Sequence, residues 1–166
     1  GRGNSSALSY LLCMNPKNGN TIWKHNRPSV AKMESLESFG TVIPHKNQLL
    51  IAGGDVLTGH DPQSGKELWR WGTWNPNHKE QWWRLVPSPV VGNGVILVCA
   101  PKKAPIFAIK TGLSGTYEGK KGLSWQTKEK PYLTSDVPTP LFYDNKFFIL
   151  SDLKKVLSKV NPDDGK

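Results

Sequence analysis

The sequence is poor in the features that announce most functions. It has two cysteines, Cys13 and Cys99, each inside an apolar run (YLLCM and VILVCA), with no CxxC or Cys/His spacing around them. They read as two buried thiols acting as small hydrophobes rather than as a disulfide or a metal pair. No run approaches the roughly 18 apolar residues of a membrane span. The chain opens GRGNSSALSY, without an initiator Met or a signal-peptide hydrophobic region, and closes on NPDDGK, a turn with no strand after it. Both ends therefore read as cut from something longer. No G-x-S-x-G, P-loop or pair of carboxylates at a useful spacing occurs, so no catalytic residue is assigned.

Positive charge, by contrast, is in excess, at a net +9. The basic pairs Lys102-Lys103, Lys120-Lys121 and Lys154-Lys155 are scattered among loops, and no stacking aromatics interleave with a basic stripe. Nucleic-acid binding is not the reading; these are solvated surface lysines. A 166-residue chain with 37% hydrophobic and 21% charged residues has the composition of a folded soluble protein.

What the sequence does have is a repeat. MNPKNGNTIWKH from Met14 and HDPQSGKELWRW from His60 both place an Asx residue, Pro, Gly and Trp in step, and NPDDG at 161–165 is a third copy cut short. Between them AIKTGLSGTYEGKKGLSW is a degenerate version, in which an insertion separates Lys110 from Trp125. A second signature keeps pace: FGTVIPHKNQLLIAG, VPSPVVGNGVILVCA and VPTPLFYDNKFFILSD superpose with Thr41, Ser88 and Thr139 in register, at offsets of 47 and 51 residues. Each is an apolar pair, a polar turn and a β-branched or aromatic run, which is a hairpin signal.

One unit thus predicts four short strands. The second unit gives 39–44, 48–53, 56–61 and 66–72 for strands a to d. The third gives 86–91, 95–100, 105–110 and 122–127, and the fourth gives 137–143, 146–151 and 155–161 for a to c. The first unit is present only as c (8–15) and d (20–25). VAKMESLES is the one weak helical possibility. In the motif, the Asx side chain bonds its own turn, Pro presets φ and Gly supplies the positive φ of the return. Trp23, Trp69 and Trp125 then recur as packing anchors. A buried indole removes roughly 150–250 Å² from water, on the order of 4–6 kcal/mol gross at about 25 cal/mol/Å². Ile22 and Leu68 alternate with the tryptophans, which predicts strand d to be apolar on both faces, as in a sheet stacked between neighbours.

The pattern A-x-D-x-x-T-G-K-x-x-W, present as CMNPKNGNTIW from Cys13 and GHDPQSGKELW from Gly59, resembles the tryptophan-docking motif of quinoprotein-type (pyrroloquinoline quinone-like, PQQ-like) β-propellers. Asn replaces Asp in the first and fourth copies, and Lys110 replaces it in the third. The chain looks most like the non-catalytic repeat proteins of this group, which include the scaffold lipoprotein of bacterial outer-membrane assembly. The resemblance implies an all-β fold of four-stranded antiparallel blades and an extracytoplasmic setting, in the periplasm or cell envelope. At about 48 residues per blade the chain is one partial propeller of about three and a half blades, with parts at 1–37, 38–85, 86–136 and 137–166. Trp23, Trp69, Trp125, Gly19, Gly65 and Asp61 are the structural docking residues, and the remaining blades of the same propeller are expected partners.

In such a fold the d-to-a and b-to-c connections gather on one rim. The longest, GTWNPNHKEQWWRLVPS after Trp71, carries Trp74, His78, Trp82 and Trp83, and with Arg27 these are the candidate ligand or partner rim. Lys32, Asp55, Lys102, Lys103, Asp136 and Asp152 join the same rim. The three aspartates read as turn caps before they read as calcium ligands, and His60 is isolated, so no metal site is assigned. The function expected is a binding or scaffold module that shows this rim to proteins, glycans or cell-envelope components, without a cofactor. The alternative is part of a dehydrogenase of alcohols or sugars that depends on pyrroloquinoline quinone and Ca²⁺, although the vicinal cysteine pair of such enzymes is absent from this sequence.

Overall fold

The computed structural model describes residues 9–72, 74–102, 104–127 and 133–166. Lys103 of the expected rim lies outside them. The strands are β1 (Tyr10–Met14), β2 (Thr21–Asn26), β3 (Ile43–His45), β4 (Gln48–Gly53), β5 (Val56–His60), β6 (Glu67–Trp71), β7 (Val90–Gly92), β8 (Val95–Cys99), β9 (Ile106–Lys110), β10 (Gly115–Tyr117), β11 (Leu123–Gln126), β12 (Leu141–Tyr143), β13 (Lys146–Ser151) and β14 (Val156–Val160). They form four sheets: β1-β2, β10-β6-β5-β4-β3, β11-β9-β8-β7 and β12-β13-β14. Apart from β10, each sheet is an antiparallel meander in chain order, so the four sheets are blades of a β-propeller segment. VAKMESLES holds only a 3₁₀ turn, Met33–Leu36.

The hairpins follow from their turns. Asn93-Gly94 and Asp144-Asn145 both have positive φ at each of their two residues, the backbone of a type I′ turn that matches strand twist. Alternation then sorts the third blade into two faces. Ile96, Val98, Phe107 and Ile109 pack with Leu50, Leu57, Trp69 and Trp71 of the second blade. Val95, Leu97, Cys99, Ile106 and Ala108 pack with Phe147, Ile149 and Val160 of the fourth. A strand buried on both faces must be apolar at every position, which is why VILVC and IFAI read as unbroken runs.

Strand d departs from the expectation. Leu68, on a blade with neighbours on both sides, is 39% exposed rather than buried. Double-sided burial belongs to the inner strands b and c; the outermost strand covers its tryptophan face only.

The repeated motif proves to be an inter-blade clasp. Asn15, Asp61 and Asn161 each accept a backbone N–H from two residues ahead, from Lys17, Gln63 and Asp163, at 2.9, 3.1 and 3.2 Å. The N–H groups of Gly19, Gly65 and Gly165 close the three turns onto the carbonyls of the same Asx residues at 2.8, 2.8 and 2.9 Å. Onto two of these turns the tryptophan of the preceding blade docks. Trp23 Nε1 donates to the Pro62 carbonyl at 3.2 Å and Trp125 Nε1 to the Pro162 carbonyl at 2.6 Å. A Cβ on Gly65 would lie 2.5 Å from the Trp23 ring, and one on Gly165 would lie 2.6 Å from that of Trp125; at Gly19 it would meet nothing within 4 Å. The three glycines share φ near 73° but only two carry an indole. Gly19→Ala is therefore expected to cost about 1 kcal/mol of backbone strain. Gly65→Ala should cost roughly 1–3 kcal/mol more from overpacking. Paired urea denaturation curves check the difference.

The third blade solves the same problem by other means. Its degenerate turn offers Trp69 no Pro carbonyl, and Trp69 instead lies over Gly59, donating Nε1 to Gln48 Oε1 at 2.8 Å. The insertion reaches back as β10, which pairs in parallel with β6 from Trp69 to Trp71. Trp71 Nε1 then donates to the Gly119 carbonyl at 3.3 Å. A borrowed strand replaces the clasp.

The register residues Thr41, Ser88 and Thr139 also join blades. The Thr41 N–H donates to Ser88 Oγ at 2.8 Å, and the Ser88 N–H to Thr139 Oγ1 at 3.0 Å. A hydroxyl one unit ahead thus caps the start of each inner strand. Among the described residues no helix is long and apolar enough to cross a membrane.

Candidate functional site

The two rims separate as the strand order requires. On one, the Asn93 amide of an a-to-b turn donates to Asp163 of a c-to-d turn at 2.6 Å. On the other, d-to-a loops meet b-to-c turns, and this rim carries the long loops. Residues 34–41 and 80–88 are zipped together around Ser35, which is buried. Its hydroxyl donates to the Glu80 carbonyl at 2.7 Å and accepts the Trp83 N–H at 2.9 Å, while its own N–H donates to the Gln81 carbonyl at 3.0 Å. Ser38 and Leu85 extend the contact as a parallel bridge, and Arg84 pairs with Glu34 at 3.6 Å.

The candidate rim residues scatter across depths. Trp74 is buried, 6.1 Å from Trp71 between ring centroids, in the core shared by the second and third blades. It anchors the loop rather than offering a platform, because the loop needs an apolar foot. Trp83 is half-buried over the same core. Trp82 is 57% exposed, and Val30, Met33 and Phe39 of the neighbouring loop are exposed with it.

Arg27 also leaves the rim surface. It is buried between the first and second blades, where Nε and Nη2 donate to Thr58 Oγ1 at 3.3 and 3.1 Å. Burial pulls its guanidinium down to about 10, with Glu67 opposing that shift, so it remains a cation at neutral pH. His60 completes the cluster. Its Nδ1 lies 2.8 Å from the Gly65 carbonyl, which only accepts, so Nδ1 carries the proton. In the neutral ring Nε2 is then the acceptor, and the Thr58 hydroxyl donates to it at 2.9 Å.

Burial first, and the nearby Arg27 charge with it, holds His60 below its ordinary value, with the Gly65 carbonyl opposing. Because the folded pKa is depressed, its contribution to stability is full above about 6.5, where the unfolded chain also keeps histidine neutral. It is lost as pH falls from there through the folded value. Denaturation midpoints measured downward from pH 7.5 should fall in that window, and His60→Gln should flatten the fall.

Asp55 sits on the b-to-c turn of the second blade and meets the loop after Trp71. Its Oδ2 accepts from Asn75 Nδ2 at 2.8 Å and His78 Nδ1 at 3.0 Å. The Trp74 indole N–H lies close enough to favour the carboxylate, yet neither it nor Asp55 Oδ1 makes a well-formed hydrogen bond. Burial outweighs these donors and raises the Asp55 pKa. Asp136 and Asp152 are apart from it: Asp136 accepts the Lys102 N–H at 3.1 Å and Asp152 accepts the Asp136 N–H at 3.1 Å. One oxygen of each carboxylate thus accepts from an N–H donor, and the described residues contain no group of three or more His, Cys, Asp or Glu able to hold a metal ion. Cys99 is fully buried, and desolvation pushes its thiol up to about 12, far from a nucleophile at neutral pH.

Thr58, Ser35 and Asn75 were not expected from the sequence. Thr58 stands inside an apolar alternation as the one hydroxyl, a signal available but weak. Ser35 and Asn75 lie in loops whose mutual contact no local pattern encodes.

No family model matches the sequence, and no curated protein matches it. Among solved structures it is similar to BamB from Moraxella catarrhalis, with a TM-score of 0.57 and 14% sequence identity over 94% of this chain and 48% of that one. The chain therefore spans about half the length of that structure, and the likeness agrees with the blades described above in making this chain a segment of a β-propeller.

Proposed function

We propose that this chain is part of a non-catalytic, PQQ-like propeller scaffold of the cell envelope, whose loop rim binds a protein partner. The observation that carries the reading is the pair of zipped rim loops, which hold Trp82 in the open beside a loop exposing Val30, Met33 and Phe39. A loop that were merely connecting blades would bury its tryptophans, as this one buries Trp74. An exposed indole on a hydrogen-bonded loop pair whose other strand exposes three large apolar side chains has the composition of an interface hot spot. The likeness to BamB supports the setting, and the whole protein's partners are part of the proposal.

The end blades support the second element of this reading. Leu141, Tyr143, Leu150 and Leu157 of the fourth blade are exposed, as are Tyr10, Leu12, Met14 and Ile22 of the first. Such faces need covering, and further blades of the same propeller are their proposed occupant.

A photoreactive amino acid at position 82 of the intact protein in its own cells tests the rim. Discrete protein adducts at 82, absent when the probe stands at the exposed Lys110, are the expected result. Saturable binding of pyrroloquinoline quinone with Ca²⁺, followed by dye reduction on adding an alcohol or sugar, would replace this reading with the dehydrogenase.

A further inference from the structure

The rim holds a second feature that a protein-docking surface does not require. Asp55 is a carboxylate whose side chain is 1% exposed, yet it is coupled to His78, whose side chain is 34% exposed. The pair is firmly held. Asn75 Nδ2 is shared between Asp55 and the Glu80 carbonyl, 2.8 Å from each, and Asn75 Oδ1 accepts the Glu80 N–H at 3.0 Å. Three residues here, Asp55, Asn77 and His78, have φ of 64°, 57° and 50° without being glycine. Left-handed backbone at such residues costs free energy and persists where the surroundings impose it. What the arrangement produces is an imidazole of fixed tautomer: Nδ1 donates to the carboxylate, so in the neutral ring Nε2 carries the lone pair, on a side chain that solvent reaches.

His78 lines a groove of about 210 Å³ between residues 28–30 and β10. Its walls are Pro28, Val30 and Val56 on the apolar side and Arg70, Tyr117 and Glu118 on the polar side. That volume is below the roughly 300–1,000 Å³ of drug-sized sites and suits a single small ring. Charge decides the ligand class. Arg70 is committed to Glu67 through Nε at 2.5 Å and Nη2 at 2.7 Å, and Nη2 also reaches the Pro28 carbonyl at 3.2 Å. An anion therefore meets no unpaired guanidinium, and faces Glu118. The polar lining residues are mixed: His78 Nε2 in the neutral ring and the Glu118 carboxylate can accept, while the Thr116 and Tyr117 hydroxyls and the remaining Arg70 N–H groups can donate. Neutral groups that both give and take hydrogen bonds match that set, and a hydroxyl does both at a single atom.

We propose that the Asp55–His78 pair and the groove before it form a binding site for an uncharged, hydroxyl-rich small molecule about the size of one sugar ring, with His78 Nε2 accepting a ligand hydroxyl and Asp55 acting as its positioning residue. The groove adjoins the protein-docking surface through Val30, but Trp82 does not line it, and the site stands without that reading.

The test is a titration of ¹⁵N-histidine-labelled protein with the methyl glycosides of glucose, galactose, mannose and N-acetylglucosamine, and separately with inorganic phosphate and with methylamine. The expected result is a saturable shift of the His78 Nε2 resonance with at least one glycoside, and none with the two ions. Asp55→Asn should weaken that binding at least 10-fold and Tyr117→Phe, at a half-exposed residue, several-fold, while Trp82→Ala leaves it unchanged. Saturation by phosphate or methylamine alone would overturn the ligand class. No saturable shift with any probe, or a shift insensitive to both groove variants, would overturn the site.

Discussion

Replacing Trp71 with alanine is expected to cost about 3–5 kcal/mol, the range of large-to-small truncations at fully buried aromatics. Trp71 is wholly buried; it packs against Trp74 at 6.1 Å and Phe107 at 5.2 Å, and its Nε1 holds the Gly119 carbonyl. The truncation thus opens a cavity between the second and third blades and cuts the side-chain tether of the 111–122 insertion. Two readouts separate these effects. The urea midpoint reports the cavity, and amide exchange at Gly115–Tyr117 reports release of β10 from β6. Trp71→Phe keeps most of the packing but not the indole N–H, so it should lose less stability while still accelerating exchange in β10. Unchanged exchange in both variants would mean that the parallel ladder alone retains the insertion.

Thr58→Val is nearly isosteric and should nonetheless cost about 2–4 kcal/mol. The hydroxyl accepts from Arg27 and donates to His60, all three residues being buried. Valine fills the same space, so no cavity forms; the loss comes from leaving an imidazole nitrogen without its donor and a buried guanidinium with only the Gly53 carbonyl, at 3.4 Å. Orphaned buried groups forfeit roughly 1–3 kcal/mol each, more when charged. A double variant, Thr58→Val with Arg27→Met, should recover much of the loss, since replacing a buried charged group by a well-packed apolar one is often neutral or better. Denaturation curves of the two single variants and the double form the cycle. Simple additivity would show that Arg27 and Thr58 do not act as one unit.

The contrast between these two positions shows what the sequence could and could not convey. Trp71 and its apolar neighbours follow a period of two, and turns such as Asn93-Gly94 and the Asx–Pro–Gly clasps carry their geometry in local chemistry. The observed strands accordingly fall inside or within a residue of the expected segments, except β10. That strand is GTY, short and rich in turn-formers, and it forms because a neighbouring blade offers an edge, a long-range cause. The same reason explains the rim. Tryptophans concentrated in one loop signal that something packs, but Trp74 goes inward and Trp82 outward because of where the facing loop 27–42 runs, and that is set by Ser35 meeting Glu80 and Trp83. Arg27 was legible as a loop cation; its burial depends on Thr58, 31 residues away. The Asp55–His78 pair is likewise assembled by two connections that only the blade stacking brings together.

The blade joins also have a sense of direction. Trp23, Arg27 and Thr41 donate hydrogen bonds to groups one blade later, at Pro62, Thr58 and Ser88, and Ser88 and Trp125 do the same toward Thr139 and Pro162. In these five the donor stands on the earlier blade and the acceptor on the later one; Arg70 to the Pro28 carbonyl and the Trp83 N–H to Ser35 run the other way, so the two faces of a join stay unlike. Such an interface is heterologous: its two surfaces differ, and one copy of it cannot satisfy another by two-fold symmetry. A blade stacked the wrong way round would take each indole and hydroxyl away from the group shaped to receive it. The stack therefore extends with only one polarity, and it uses up both of its unlike ends only when the last blade meets the first in the same sense.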